Sequence, residues 1–453
     1  MHSKFRIKSA TENLFIYFLF LALTGTILFR FPAFYSDGMP IPLIDSIFTT
    51  VSAMCVTGLS TVDMSVFSNS GFLLILLLIE AGGLGLVSFF TIYLALDAKK
   101  ISLLNRNIIK DYFTEEQQIE TKQIIREIIF FTLFIQFLGA LLLSLLLKFH
   151  GEKNYIFYGI FISVSAFCNA GFSPYSESLS SFTNSPVFLL TVSLIIILGG
   201  LGFSVMSNIF FTLKKQNGKK RTILSLHSKI VLFTTFILIA GGTAFFFIFE
   251  YNGAYKDLSF SSALLNAFFQ SVTLRTAGFE TVSQNSFSAH STVLSDIFML
   301  IGGSPGSMAG GIKTTTFFLL LTLAYKSIHD KNSPSIFHRD ISESSTSKAT
   351  SIFIKAICFL SVMIILLLIS EQKSIKNGIF SESSLIFEAF SAFATVGLSK
   401  GITGLLSNSG KIIIIFLMFA GRTGITFIAL NNFSRKNNIK SLTDYPEEDV
   451  LLG

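Results

Sequence analysis

The sequence predicts an all-α integral membrane protein built from four pseudo-repeats around a central pore. Three observations lead to this prediction. Of the 453 residues, 51% are hydrophobic and only 13% are charged, whereas about 25% of the residues of a soluble domain are charged. Eight long apolar runs cross the chain, and a glycine-centred motif occurs four times. This composition leaves little room for a separate soluble domain.

Each of the eight apolar runs approaches or exceeds the roughly 20 residues that a membrane helix requires. The predicted spans are 12–31, 70–96, 125–148, 186–213, 229–250, 292–325, 350–370 and 410–434. One shorter apolar stretch lies between the first and second runs, and likewise between the third and fourth, the fifth and sixth, and the seventh and eighth. These four stretches are too short to cross a membrane, so we predict that they are re-entrant half-helices. These stretches are 43–56, 155–169, 260–276 and 383–396.

The distribution of positive charge predicts the orientation. Of the 34 Lys and Arg residues, 21 lie in the N-terminus, in the loops near 97–124, 214–229 and 326–349, and in the C-terminal tail. By the positive-inside rule, both termini are cytoplasmic and the half-helices enter from outside. Topology thus explains the net charge of +7, the lipid bilayer is an expected partner, and nucleic acid is not. The three cysteines show neither a disulfide framework nor metal-ligand spacing.

One glycine motif follows each half-helix. The loop glycines are 113, 107 and 119 residues apart, at Gly58, Gly171, Gly278 and Gly397. Each is followed by a large apolar residue, and a phenylalanine lies ten positions before it. The predicted repeat is helix, half-helix, loop and helix, which gives four units at 1–97, 98–214, 215–326 and 327–453, the last including a cytoplasmic tail. The second helix of each unit also contains glycines, such as Gly82 and Gly199, and we predict that neighbouring helices pack closely at them.

Four such loops around one axis would surround a single path. The half-helices would direct their partly negative C-terminal ends toward it, which favours a cation. Backbone carbonyls can replace the water shell of K⁺, and glycine reaches the required dihedral angles without steric cost. We therefore predict a K⁺ selectivity filter from the carbonyls of Val56, Thr57, Gly58, Asn169, Ala170, Gly171, Thr276, Ala277, Gly278, Thr395, Val396 and Gly397. The alternative is that each glycine only permits a tight turn.

The sixth apolar run is interrupted by five glycines and a proline within 302–311. Such a segment cannot stay helical, and irregular backbone is tolerated in a membrane only where it is buried in protein or lines a cavity. We predict a gate below the filter, formed by Gly302, Gly303, Ser304, Pro305, Gly306, Ser307, Met308, Ala309, Gly310 and Gly311 together with Arg422. A packing kink without a gating role is the alternative.

Arg422 lies in the middle of the last predicted span. A charge there costs about 2.5–3.5 kcal/mol, so the side chain is expected to face the path as an electrostatic barrier. The alternative is an ion pair with a carboxylate such as Glu80. Lys313, at the end of the glycine-rich segment, is expected to extend toward the cytoplasm.

Two other classes of protein are weighed against this interpretation. An intramembrane enzyme is disfavoured because the sequence contains neither an HExxH nor a GxSxG motif, and its six histidines fall in loops or at helix ends. A coupled secondary transporter would show two related halves, whereas this chain shows four related quarters.

These motifs resemble the Trk/Ktr/HKT superfamily of potassium transporters, most closely the membrane subunit of bacterial Ktr systems, over nearly the whole chain. The resemblance implies a K⁺-channel-like plan, with a gating loop at 302–312 and with Arg422 as part of the gate. Gly58 implies K⁺ transport, because serine there accompanies Na⁺ preference in some plant relatives. A Na⁺-permeable or Na⁺-coupled cation transporter of the same fold is the alternative. The resemblance leads us to expect a small polar residue at the position that Met308 occupies.

The resemblance also implies location and partners. The location is the plasma membrane, which in a bacterium is the inner membrane. The partners are a second copy of the chain, in a homodimer, and a cytosolic ring of nucleotide-binding regulatory subunits of the RCK type. Nucleotide would act only through that ring, and this chain would bind no cofactor. K⁺ would be the transported ion, with Na⁺ as an activator.

Overall fold

The computed structural model describes residues 10–96, 121–213, 224–327, 335–337, 339–340 and 343–423. Their regular structure is helical apart from two paired strands of two residues each, Ser335–Ile336 and Arg339–Asp340. The expectation of a helical protein is therefore confirmed, and this short antiparallel pair is an addition to it.

The long helices follow the predicted apolar runs closely. They are Ala10–Leu28, Asn69–Leu96, Thr121–Phe149, Pro186–Leu201 followed by Phe203–Leu213, Leu226–Glu250, Ala289–Leu300 followed by Thr314–Ser327, Glu343–Ser370 and Asn408–Thr423. A helix of five residues, Gln372–Lys376, follows the seventh run. The part of the predicted last span beyond residue 423 lies outside the described residues.

Within the described part of the chain, three unbroken helices are long and apolar enough to cross a membrane: Arg126–Phe149, Leu226–Glu250 and Ser345–Ser370. The bent pair Pro186–Leu201 and Phe203–Phe210 passes the same test as one span. Shorter apolar helices, such as Phe15–Leu28, occupy other predicted spans. Eight crossings therefore remain a prediction.

Four short helices lie where half-helices are predicted, at Leu43–Met54, Tyr155–Cys168, Phe260–Thr273 and Glu382–Phe393. We call them half-helices 1 to 4. They have between 12 and 14 residues, too few to cross a bilayer. A single 3-10 turn follows each glycine loop, at Met64–Val66, Ser180–Phe182, Gln284–Ser286 and Thr403–Leu405. These turns were not predicted from the sequence.

The second helix of each predicted unit packs against the half-helix of the next unit. The contacting pairs are Asn69–Leu96 with half-helix 2, Pro186–Leu201 with half-helix 3, Ala289–Leu300 with half-helix 4, and Asn408–Thr423 with half-helix 1. The last pair joins the two ends of the described chain, so the four contacts form a closed cycle.

Polar contacts at the ends of the long helices repeat along the chain. The Glu250 carboxylate accepts from the Ser288 N–H at 3.1 Å, and Glu371 accepts from the Ser407 N–H at 3.0 Å. Each carboxylate ends a first helix and holds the start of the second helix of the same unit, where free N–H groups need acceptors. In the second unit, His150 Nε2 lies 2.8 Å from Ser185 Oγ instead.

The half-helices form the centre of the packed core. Phe48, Phe161 and Phe387, each ten residues before a loop glycine, are buried, and Phe268 in the third unit is partly buried. Outer faces of the long helices carry exposed apolar side chains, and Phe236 is 71% exposed. Such extensive apolar surface fits contact with lipid.

Two predicted spans are interrupted in the structure. The run 292–325 ends as a helix at Leu300 and resumes at Thr314, as the glycine-rich segment predicts. The run 186–213, predicted as one span, bends by 99° at Gly202, a break that was not predicted from the sequence. Gly202 has a φ of +87°, a conformation that ends a regular helix.

Candidate functional site

The four glycine loops meet in one ring. A Cβ atom on Gly171 would lie 2.8 Å from the carbonyl oxygen of Ala277 in the next loop. At each of the other three glycines, an added Cβ would overlap a carbonyl oxygen of the next loop. The Cβ of Gly58 would overlap the oxygen of Ala170, that of Gly278 the oxygen of Val396, and that of Gly397 the oxygen of Thr57. The contacts run from loop 1 to 2, 3, 4 and back to 1. Only residues without a side chain allow this approach.

All twelve predicted filter residues therefore lie in or directly beside this ring. The backbone has the same unusual conformation in each loop. The loop glycines have φ between +70° and +98°, and the residues two positions earlier have φ between +52° and +66°. These earlier residues are Val56, Asn169, Thr276 and Thr395.

Three of the four earlier residues are β-branched, for which the left-handed region costs of order 1–3 kcal/mol. Left-handed residues at alternate positions let successive carbonyl groups turn to the same side of the chain. This conformation was not predicted, because Val and Thr carry no local sign of it; only Asn169 is a residue type that adopts it readily.

The ends of half-helices 1, 2 and 4 are each held by a close backbone contact. Gly82 lies against the carbonyl of Met54, Gly199 against that of Phe167 and Gly421 against that of Phe393, with no room for a Cβ. The three carbonyls occupy the position four residues before the loop glycine. Close packing at the second-helix glycines is thereby confirmed for these three units. Gly302, the corresponding residue of the third unit, packs instead on Gly310, because the helix is broken there.

The glycine-rich segment forms a closed loop whose two ends pair. The N–H of Gly302 donates to the carbonyl of Ile312 at 2.9 Å, and the N–H of Ile312 donates to that of Leu300 at 3.0 Å. Between these ends the residues are buried, except that Pro305 and Gly311 are half-buried. A Cβ on Gly310 would overlap Thr395 Oγ1, so the loop touches the fourth glycine loop directly.

The unexpected bend at Gly202 provides the other side of this contact. The N–H of Ser304 donates to the carbonyl of Gly200 at 3.1 Å, and the N–H of Met308 donates to that of Gly199 at 3.3 Å. In the opposite direction, the Phe203 N–H donates to the carbonyl of Gly306 at 3.2 Å. Because the helix ends at Leu201, its last carbonyls are available to the glycine-rich loop. The bend and the loop therefore complete each other's hydrogen bonds.

Two cations hold the same loop. The Arg422 guanidinium donates to the carbonyl of Met308 and, at 3.1 Å, to that of Gly82. Lys313 Nζ donates to the carbonyl of Ala309 at 2.7 Å, so this side chain is held by the loop, and its extension toward the cytoplasm stays a prediction. Glu80, the suggested partner of Arg422, accepts from the Gln136 amide.

The side chain of Met308 is buried beside the second helix of the first unit. Its sulfur and that of Cys168 both lie 3.4 Å from where a Cβ on Gly83 would be. The glycine-rich loop thus contacts the first unit at Gly83, the second at Gly199 and Gly200, and the fourth at Thr395 and Arg422.

One acidic residue follows the third glycine in the outer loop. Glu280 accepts from the N–H of Gln284 at 3.1 Å, and burial raises the pKa of its carboxyl to about 7. Among the described residues, no group of three or more His, Cys, Asp or Glu side chains is placed to hold a metal ion.

A helical fold with this ring of loops matches the class of membrane cation transporters. A family model described as "TrkH: Cation transport protein" matches residues 2–439. The chain therefore belongs to the TrkH family of cation transport proteins, as its motifs led us to expect.

Individual relatives support the assignment. The chain is 37% identical to "Potassium/sodium uptake protein NtpJ" of Enterococcus hirae, over 96% of this chain and 95% of that protein. It is 32% identical to "Ktr system potassium uptake protein B" of Vibrio alginolyticus, over 96% of this chain and 93% of that protein. The fold is similar to the crystal structure of the potassium transporter TrkH from Vibrio parahaemolyticus, with a TM-score of 0.73, 17% identity and coverage of 95% and 86% of the two chains.

Proposed function

We propose that this chain is the membrane subunit of a K⁺ uptake system of the plasma membrane, in which K⁺ passes through a filter made by the four glycine loops. The single observation that carries the proposal is the closed ring, in which each loop glycine lies against the carbonyl that precedes the glycine of the next loop. The names of the relatives, which describe potassium uptake or potassium and sodium uptake, agree with this proposal.

The proposed architecture has eight crossings, with both termini cytoplasmic, arranged as four pseudo-repeats around a central pore. The repeats are the units 1–97, 98–214, 215–326 and 327–453. Their support is the common order of elements, the cyclic packing of second helices on half-helices, and the similar end contacts at Glu250 and Glu371.

In the proposed filter, K⁺ exchanges its water shell for carbonyl oxygens of the loop glycines and of the two residues before each one. The oxygens are those of the twelve ring residues named above. Four half-helix C-termini directed at the same place would add partial negative charge, which attracts a cation and repels an anion.

The glycine-rich loop at 302–312 is the proposed gate. It touches the filter loop at Thr395, and Arg422 brings a positive charge to its carbonyl at Met308. A cation below the filter opposes passage of K⁺, and release of the loop from Gly199 and Gly200 would open the path. The glycines of the gate and Ala309 act through their backbone and small size, which lets the loop repack, whereas Ser304 also acts through its hydroxyl bond to Gly200.

A cytosolic ring of nucleotide-binding regulatory subunits and a second copy of this chain are the proposed partners. The support is the similarity to proteins whose names assign them to a Ktr system. Nucleotide would act on that ring, while this chain would carry K⁺ and bind no cofactor itself.

The second candidate is a Na⁺-permeable or Na⁺-coupled cation transporter of the same fold, with Na⁺ as a transported ion or an activator. The observation in its favour is the most similar relative described above, whose name includes both potassium and sodium uptake. Uptake measured with each ion separately distinguishes the two candidates.

The experiment is K⁺ and Na⁺ uptake by cells that lack their own K⁺ uptake systems. Gly58→Ser is expected to lower the ratio of K⁺ to Na⁺ uptake, since a side chain there overlaps the carbonyl of Ala170. Gly38→Ser is the matched control, because Gly38 also has a positive φ, of +66°, but has no atom near the added Cβ. An unchanged ratio in Gly58→Ser would refute the filter.

A deletion within 302–311 tests the gate in the same cells. Without the loop, uptake is expected to rise and to become independent of the regulatory subunits. Flux identical to that of the natural protein, at equal amounts in the membrane, would remove the gating role.

A further inference from the structure

Each half-helix carries one buried hydroxyl group directly behind its glycine loop. These residues are Ser52, Ser165, Thr273 and Ser391, and none is more than 1% exposed. Their backbone carbonyls accept from the residue before the loop glycine in every unit, at 2.7–2.9 Å. Ser52, Ser165 and Ser391 lie six residues before the loop glycine, whereas Thr273 lies five before Gly278. The four carbonyls nevertheless accept from the same position of each loop, so the hydroxyl groups beside them can be compared.

The hydroxyl groups are bonded in two different ways. In loops 1 and 4 the hydroxyl accepts from the glycine, with Gly58 N–H 3.2 Å from Ser52 Oγ and Gly397 N–H 3.1 Å from Ser391 Oγ. Loops 2 and 3 have the opposite arrangement, in which the hydroxyl donates.

In those two loops the acceptor is the carbonyl that follows the glycine. Ser165 Oγ donates to Phe172 at 2.8 Å, and Thr273 Oγ1 donates to Phe279 at 2.7 Å. A carbonyl directs its oxygen toward its donor. Because the donors belong to the half-helices behind the loops, the Phe172 and Phe279 oxygens point away from the ring.

The corresponding carbonyls of Leu59 and Leu398 accept no hydroxyl of this kind among the described residues. The ring therefore has carbonyls of all four loops at the positions before the glycines, whereas the carbonyls directly after the glycines of loops 2 and 3 are bonded to the half-helices behind them. Loops 1 and 4, in which the carbonyl after the glycine has no such bond among the described residues, are neighbours in the cycle.

We propose that Ser52, Ser165, Thr273 and Ser391 are positioning residues that set the ion preference by fixing the direction of the ring's N–H and carbonyl groups. An ion at the level after the glycines would keep water on the side of loops 2 and 3 and would lose it only at the next level. This inference rests on the proposed filter, and it assigns the hydroxyl groups a part in its specificity.

The experiment removes the hydroxyl groups one at a time and measures the ratio of K⁺ to Na⁺ uptake in cells without their own K⁺ uptake systems. Ser165→Ala and Thr273→Val are expected to lower this ratio by roughly three- to tenfold, as follows from the loss of one buried hydrogen bond. Ser165→Thr and Thr273→Ser keep the hydroxyl and are expected to retain the natural ratio.

Half-helices 2 and 3 each offer a matched control two residues away. Ser163 Oγ donates to the carbonyl of Gln136 at 2.8 Å, and Ser271 Oγ donates to that of Leu238 at 3.1 Å. Both are buried hydroxyls that bond away from the filter. Ser163→Ala and Ser271→Ala are therefore expected to retain the natural ratio, and an equal fall in these controls would overturn the proposal.

Gly58→Ser, measured in parallel, separates this inference from the proposed function. If Gly58→Ser lowers the ratio while Ser165→Ala and Thr273→Val do not, the hydroxyl proposal is overturned and the filter stands. If none of the three lowers it, both are overturned. Should Ser165→Ala fail to reach the membrane, Thr273→Val decides the result, because it preserves side-chain volume in a different loop.

Discussion

Lys411 and Asp45 form a buried ion pair, with the ammonium nitrogen 2.7 Å from one carboxylate oxygen. The two residues are 366 positions apart in the sequence. Lys411 lies near the start of Asn408–Thr423, and Asp45 lies in the first turn of half-helix 1. The pair therefore fastens the fourth unit to the first, at the place where the cycle of four units closes.

Replacement of Lys411 by methionine is expected to destabilise the protein by about 3–5 kcal/mol, because Asp45 would remain as a buried, unpaired charge. The double change Lys411→Met with Asp45→Asn is expected to recover most of that loss. Thermal unfolding of the protein in detergent measures both effects. Lys373→Met, at an exposed lysine, is the control. A single variant as stable as the control would contradict the assigned role of the pair.

Gly199→Ala is expected to destabilise the protein by about 1–3 kcal/mol, since the added methyl overlaps the carbonyl of Phe167 and one helix must move. Gly241→Ala provides the comparison, because an added Cβ at this helical glycine meets no atom within 4 Å. It should be neutral or slightly stabilising. The unfolding midpoints of the two variants in detergent test this prediction, and equal midpoints would argue against tight packing at Gly199.

Ser304→Ala is expected to raise K⁺ uptake through the proposed gate. The Ser304 hydroxyl donates to the carbonyl of Gly200 at 2.8 Å, and loss of that bond weakens the closed loop by about 1 kcal/mol, roughly fivefold in its population. Uptake is measured without the regulatory subunits.

Thr322→Val is the control for that measurement. Its hydroxyl bonds within the helix after the gate, to the carbonyl of Phe318 at 2.8 Å, so uptake should not change. Uptake in Ser304→Ala equal to that of this control would mean that the contact with Gly200 does not hold the gate closed.

At low K⁺ concentration, uptake is expected to increase as the pH rises through about 7, because burial raises the pKa of Glu280 to that value and its charged form would attract cations to the path. Glu280→Gln should remove this step, and the exposed Glu177→Gln should keep it. The same pKa predicts that stability falls as the pH rises from about 4.5 to 7, since the folded protein holds the proton longer. A pH step that persists in Glu280→Gln would exclude this carboxyl.

Much of the local structure could be read from the residues. The lengths of the apolar runs predicted the long helices and half-helices, since helix length and hydropathy are properties of short segments. The break after Leu300 was predicted because five glycines and Pro305 cannot remain helical. The break at Gly202 was missed, since a single glycine in an apolar run is common in membrane helices and the contacts that stabilise this bend come from Ser304 and Met308, over a hundred residues away.

Composition, apolar runs and glycine spacing by themselves determined the helical class, the four related segments and the residues of the candidate site. Only the tertiary structure decided that the glycines form one ring, that Lys411 pairs with Asp45, and that the four hydroxyls bond in two ways. The physical reason is that these features depend on close contacts between distant segments. Gly58 leaves room for another backbone to come close, but the position of Ala170 in the folded chain decides whether that contact forms.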